Sequence, residues 1–274
     1  MVLLVLLGGR SAHARLLLLE SPLESLAPLP ADARRLEFSS TAFGAQHWAG
    51  QRLQLRYAGS RGTQLSWSLA LPWLYSSYAN GGRSGRDNLF LGAGLRVLGD
   101  EGARLRVGGE LWLPFAAPEL APLGERRAFG RLALLAGGGP RAPLQVSLSW
   151  RTELRGLGPE LDASADQRIW PERWNLDARL GRFPAAGLAA FVRGGSSLQY
   201  DDGKRRQLGW IGGGAQFAWG EVFSVELSGE GWLGLGGDPV RPDYRLRLTL
   251  RRDAIAPPAP AEPASPGEPS SSGS

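Results

Sequence analysis

Three observations predict an all-β chain folded as an antiparallel up-and-down transmembrane β-barrel of about twelve strands. From Leu36 to Arg252 the sequence repeats one unit, an alternating run of about ten residues followed by a connection. The connections alternate between short and long, and charge is confined to one face of the runs. Ten to fourteen strands is the range these repeats allow.

The N-terminus comes first. Val2 to Leu7 is a short apolar run, followed by Gly8-Gly9 and Ser11-Ala12-His13-Ala14. Residues 1–14 therefore resemble a secretory signal peptide cut after Ala14, with small residues at Ala12 and Ala14. Residues 15–35 combine prolines and apolar residues without a clear period, and the expectation is a periplasmic lead-in.

The barrel is expected over 36–252. Its runs begin with Leu36 to Phe43, Arg52 to Ala58 and Gln64 to Trp73. The stretch Asn88 to Phe115 then forms a hairpin. Leu89, Leu91, Ala93, Leu95 and Val97 share one face of its first strand, and Leu105, Val107, Gly109, Leu111 and Leu113 share one face of its second. A three-residue loop, Asp100-Glu101-Gly102, sets Val97 opposite Leu105 and Arg96 opposite Arg106. Like charges facing each other need water or carboxylates nearby, so the polar face is wet or acid-lined. The remaining runs are Ala128 to Gly137, Leu144 to Leu154, Trp174 to Phe183, Leu188 to Tyr200, Gln207 to Trp219, Phe223 to Leu233 and Tyr244 to Arg252. Residues 253–274, rich in Pro, Ala and Ser, read as a disordered tail hanging in the periplasm. The sequence does not say what partner, if any, the tail meets.

Short turns are expected at Gly59–Gly62, Asp100–Gly102, Gly138–Ala142, Pro184–Gly187 and Gly220-Glu221. Longer polar loops are expected at Leu74–Asp87, Pro114–Arg127, Arg155–Glu172, Asp201–Arg206 and Gly234–Asp243. Short turns on one rim and long loops on the other characterise outer-membrane barrels. The faces agree. Leu53, Leu55, Leu69, Leu71, Leu148, Leu176, Leu227 and Leu248 belong to a nearly uncharged side. The opposite side, assigned to the lumen, carries Arg52, Arg56, Arg96, Arg104, Arg106, Glu110, Arg151, Glu153, Asp177, Arg179, Arg193, Glu226, Glu230, Arg245 and Arg247, with Arg251 beyond them. An Arg facing lipid at mid-bilayer costs ~2–4 kcal/mol, whereas a watery lumen accepts it. Trp48, Trp73, Tyr75, Trp174, Trp210 and Trp232 lie near run ends, where an aromatic girdle at the membrane interface is expected.

Pro72-Trp73, a polar stretch, and then Ser84-Gly85-Arg86-Asp87-Asn88-Leu89 leading into Gly92-Ala93-Gly94-Leu95 resemble the pattern of the transporter-like outer-membrane proteins found with phenol meta-pathway degradation genes. The resemblance spans about thirty residues. It implies a small barrel that passes hydrophobic or aromatic compounds.

Composition excludes other chemistry. The chain has no Cys and only His13 and His47, so thiolate metal sites and a His-based triad find no material, and neither cofactor, metal nor catalytic residue is expected. All 31 basic residues except Lys204 are arginines spread along the chain, giving a net charge of +5 without the clustered patch that nucleic acid needs. The expected partners are outer-membrane lipid and a small solute. The expected place is the bacterial outer membrane, and the expected function is a channel or transporter for small hydrophobic or anionic molecules. Two alternatives stay open: a structural or adhesive barrel with a plugged lumen and binding loops, and a soluble exported β-protein that binds a ligand.

Overall fold

The structure is a computed structural model that describes residues 21–26, 29–45, 48–62, 64–78, 81–99, 104–117, 120, 128–137, 143–154, 172–182, 186–201, 204–220, 222–235 and 243–255. A short helix, α1 (Pro22–Ser25), precedes β1 (Ala33–Ala45), β2 (Trp48–Arg61), β3 (Leu65–Tyr78), β4 (Gly81–Arg86), β5 (Leu89–Leu98), β6 (Arg104–Leu113) and β7 (Ala128–Gly137). There follow β8 (Leu144–Leu154), β9 (Glu172–Gly181), β10 (Gly187–Asp201), β11 (Lys204–Trp219), β12 (Phe223–Leu235) and β13 (Tyr244–Ile255). All neighbours pair antiparallel. The first strand pairs with both β2 and the last strand, from Ala33↔Ile255 to Gly44↔Tyr244, so the sheet closes.

Both β4 and β5 pair with β3, so together they fill one position in the wall and the barrel has twelve strands. The break between them has a cause in the sequence. Pro72, inward on β3, offers no N–H to its neighbour. Three residues, 87 to 89, face the two residues 71 and 72, and the Asp87 N–H donates to the Pro72 carbonyl at 3.0 Å. This is a β-bulge, and the extra residue shifts the alternation, so even positions face outward on β4 and odd ones on β5.

Several expectations are refined. Leu74–Asp87 is not a loop: β3 runs to Tyr78 and β4 returns, so this side of the wall stands taller than a run of ten residues allows. Arg96 does face Arg106, but a bulge at Val97 puts Leu98 rather than Val97 opposite Leu105. Gly99 takes the positive φ of the turn, at 88°, while the expected loop Asp100–Gly102 lies outside the described residues. At the other end of the chain, β13 extends through Ile255. The expected tail therefore begins inside the wall, where Asp253 pairs with Arg35 at 2.6 Å.

Leu55, Leu71, Leu132, Leu176, Leu227 and Leu246 are all exposed on the outer surface, and the outward leucines of the sequence reading all point there. In water such a band would be an interaction or aggregation surface. In a bilayer it is solvated by lipid, and the pairing of β1 with β13 joins the first and last strands so that their N–H and C=O groups satisfy each other. The buried side of the wall is polar instead: Ser39, Gln54, Arg56, Glu110, Arg151 and Thr249 are all under 6 % exposed.

Candidate functional site

The site is the lumen. Among the expected lining residues, Arg52, Arg56, Arg106, Glu110, Arg151, Asp177, Arg193, Glu226, Glu230, Arg245 and Arg247 are buried inside the barrel. Arg96, Arg104, Arg179 and Arg251 share the inward alternation and are half-buried. Glu153 is in β8 and Trp48 in β2, but their side chains lie outside the described part of the structure, as does His47.

Two aromatics point the other way from expectation. Trp210 is inward and 8 % exposed, and Trp232, its partner across β11 and β12, is inward with it, ring centroids 6.1 Å apart. The cause is local. Trp210 lies opposite Gly195, where a Cβ would sit 2.5 Å from the indole, and Arg193 stacks over its ring at 5.1 Å. Trp73, Tyr75 and Trp174 do face outward, between 43 % and 48 % exposed, as a membrane girdle requires.

The lumen is not empty. The helix α1, which precedes the wall, stands inside it, and residues expected to trail in the periplasm are buried among inward side chains. Ser21 caps the helix, its Oγ accepting from the Leu23 N–H at 3.2 Å, and Pro22 occupies the first turn. One face of α1 is apolar: Leu23 and Leu26 pack against Ala133 and Leu135 of β7. Leu26 needs Gly108, since a Cβ there would collide with the leucine's Cδ1. Below it, Leu29 and Ala33 pack on Ala58.

The other face of α1 is polar and meets charge. Ser25 hydrogen-bonds Glu110, which in turn pairs with Arg131, and Arg131 Nη2 donates back to Ser25 Oγ at 3.0 Å. Arg56 Nη1 donates to the Glu24 backbone carbonyl at 3.2 Å. The Glu24 carboxylate bridges two wall arginines, one oxygen on Arg193 and the other on Arg247. Burial alone would raise its pKa. The guanidiniums of Arg193, Arg247 and Arg245 outweigh this and hold the carboxyl well below its ordinary 4.5.

From Glu24 the charge pairs spread across the lumen in two branches. Arg193 reaches Glu230 at 2.6 Å, which holds Arg245 with a bidentate pair of 2.8 Å bonds. Arg247 reaches Glu37 at 3.4 Å, which also binds Arg56 at 3.1 Å and Arg251 at 2.8 Å; Arg251 continues to Glu226, and Glu226 to Arg179. Opposite this lies an aromatic layer. Phe90, Trp112 and Phe129 cluster with Ala70, and Arg56, Arg131 and Arg151 lie over the three rings at 5.4, 5.0 and 4.1 Å.

Sequence reasoning missed Glu37 and Arg131, although the inward alternation of their strands includes both. It also missed Glu24, for which no periodic signal existed. The sequence reading put Glu226 and Glu230 on the lumen side with the arginines, and the structure joins them to Arg251 and Arg245. The family-like stretch is also explained in part. Gly85 faces inward, where a Cβ would sit 2.8 Å from Ala117 Cβ, while Arg86 is exposed on the outer side, paired with Trp73.

A closed twelve-strand barrel with an apolar exterior and a charged interior is an outer-membrane barrel, and its place is the bacterial outer membrane. Solved structures agree on the fold. An outer membrane channel from Pseudomonas putida F1 superposes with a TM-score of 0.65 at 16 % identity, over 86 % of this chain and 100 % of that one. The NanC porin superposes with a TM-score of 0.51 at 10 % identity, over 81 % of this chain and all of that one. No protein-family model and no curated protein matches the sequence.

Proposed function

We propose that this chain is a channel for small solutes, that its arginine-rich lumen favours anions, and that the segment 21–26 governs passage. The observation that carries the proposal is the way the segment is held. It is fixed by side chains inside the barrel and pairs with no strand, so it can leave without opening the wall. The resemblance around Pro72 and Gly92 extends the proposal to cargo, small organic compounds of hydrophobic or aromatic character. The role is non-enzymatic, with outer-membrane lipid and the solute as partners. Residues 1–14 serve as the export signal, and residues after 255 as a periplasmic tail.

Planar-bilayer recording across a salt gradient tests it, using protein beginning at Arg15 and a second form beginning at Asp32. Small or infrequent steps from the first form and larger, frequent, anion-favouring steps from the second are expected. A reversal potential favouring cations would remove the anion preference, and silence from both folded forms would remove the channel proposal. The filled lumen favours a second reading, a structural or adhesive barrel. Silence from both forms is the result that selects it.

A further inference from the structure

Glu24 occupies a position that suits an exchangeable ligand. The network joins six guanidiniums and four carboxylates among the described residues, and three of the carboxylates, Glu37, Glu226 and Glu230, are on wall strands. The fourth arrives on α1. Without it, the branch of Arg193 and Arg245 keeps one carboxylate, Glu230, and the branch of Arg247, Arg56, Arg251 and Arg179 keeps two. Glu24 sits where the two branches meet, while Asp177 and Glu110 of the wall also act on Arg193 and Arg56. Within these ion pairs the wall contributes six guanidiniums and three carboxylates, and two of the guanidiniums, Arg193 and Arg247, meet at the Glu24 carboxylate.

Buried charges are stable only when matched, and breaking such a match by removing one partner is expensive. A lumen that loses α1 leaves Arg193 and Arg247 facing water, open to another anion at the same point. Two guanidiniums, each with a planar fork of donors, select an oxyanion, and Glu24 itself shows that a carboxylate satisfies both at once. The apolar grip on α1 is small, Leu23 and Leu26 on Ala133 and Leu135. Beside the hydrogen bonds of Ser25 with Glu110 and Arg131 and of Arg56 with the Glu24 carbonyl, the Glu24 carboxylate makes the ion pairs of the described segment 21–26 with the wall.

We infer that Arg193 and Arg247 form a carboxylate-binding site in the lumen, that Glu24 fills it as an internal stand-in, and that small carboxylate solutes compete with Glu24 and release the segment. This rests on the channel reading and deepens it. The site names the solute class and makes the solute the agent of its own passage.

The absence of native cysteine gives a direct test. Ser25→Cys introduces a single thiol in a buried position on the same helical turn as Glu24, and Leu23→Cys serves in its place should the first variant not fold. Folded barrels, identified by heat-modifiable gel mobility, are reacted with a water-soluble thiol reagent at fixed pH and ionic strength in sodium chloride or sodium succinate. Labelling is expected to be slow in chloride and several-fold faster in succinate, with a saturable dependence on concentration. Adding Glu24→Gln is expected to raise the chloride rate at least tenfold and abolish the succinate effect. Equal rates in the two salts, or no response to Glu24→Gln, would overturn the inference. Conductance of the same preparations separates the two proposals. Folded variants that label in response to succinate but pass no current would overturn the channel and leave the site, whereas conducting barrels whose labelling ignores succinate would overturn the site and leave the channel.

Discussion

At the scale of single residues, the lumen turns on guanidinium–carboxylate geometry. Glu24 is the clearest case, because its carboxylate bridges two wall arginines. Its pKa when docked lies below the ordinary 4.5, so the ionised form is favoured by docking. Its contribution is fully present above the ordinary value and is lost as pH falls through the depressed one. The conductance difference between the intact protein and Glu24→Gln is therefore expected to be constant from pH 5 to pH 8 and to shrink only in stronger acid. A change in that difference already between pH 7 and pH 6 would contradict this. Single residues also mark where the sequence could be read. Glu226 and Glu230 fix the inward side of β12, and Trp232, two positions on, has the same parity. Its inward direction was thus legible, and position near a strand end misled. Trp210 needed one more fact, the space that Gly195 leaves across the ladder.

At the scale of elements, β6 and α1 are matched to each other. Gly108 in the inward row of β6 is the seat of Leu26, and its lack of a side chain looks wasteful until the helix is in place. Gly108→Val is expected to expel Leu26 while leaving the outward row Leu105, Val107 and Leu111 intact. Loss of a buried leucine is worth ~1.5–3 kcal/mol, which is about tenfold or more in the docking equilibrium. The variant is expected to keep normal gel mobility and to show more frequent channel openings. Unchanged openings would mean that the segment is held some other way. The strands themselves were legible, with β7 and β8 matching their expected limits. Alternation reports only which side a residue takes, so it could not show that β3 and β4 continue past Pro72 as wall. Polar and small residues such as Ser76, Ser77 and Gly82 suit either a loop or a strand standing above the bilayer. The helix was illegible for a different reason. A single turn has no period, and its stability comes from the barrel around it.

At the scale of the whole molecule, the solvent is lipid outside and charge inside, and the two requirements were written in one alternating pattern. Leu132, mid-strand on β7 and 58 % exposed, tests the outer requirement. Leu132→Arg is expected to lower unfolding stability in lipid vesicles by ~2–4 kcal/mol, measured by urea titration. An effect below 1 kcal/mol would place that position outside the hydrocarbon. The twelve-strand count and the sidedness of the charges were available from the repeat alone. That the lumen is occupied was not, because occupancy joins the start of the chain to side chains far along it.

That last juxtaposition bears on biogenesis. Arg193 stands on β10 and Arg247 on β13, whereas Glu24 precedes every strand of the wall. The segment therefore has no complete berth until β13 has been laid against β1. A barrel arrested before that seam forms lacks half of the Glu24 contact. Protection of residues 21–26 from protease thus dates the moment of closure, and the segment that occupies the lumen also certifies that the wall around it is whole.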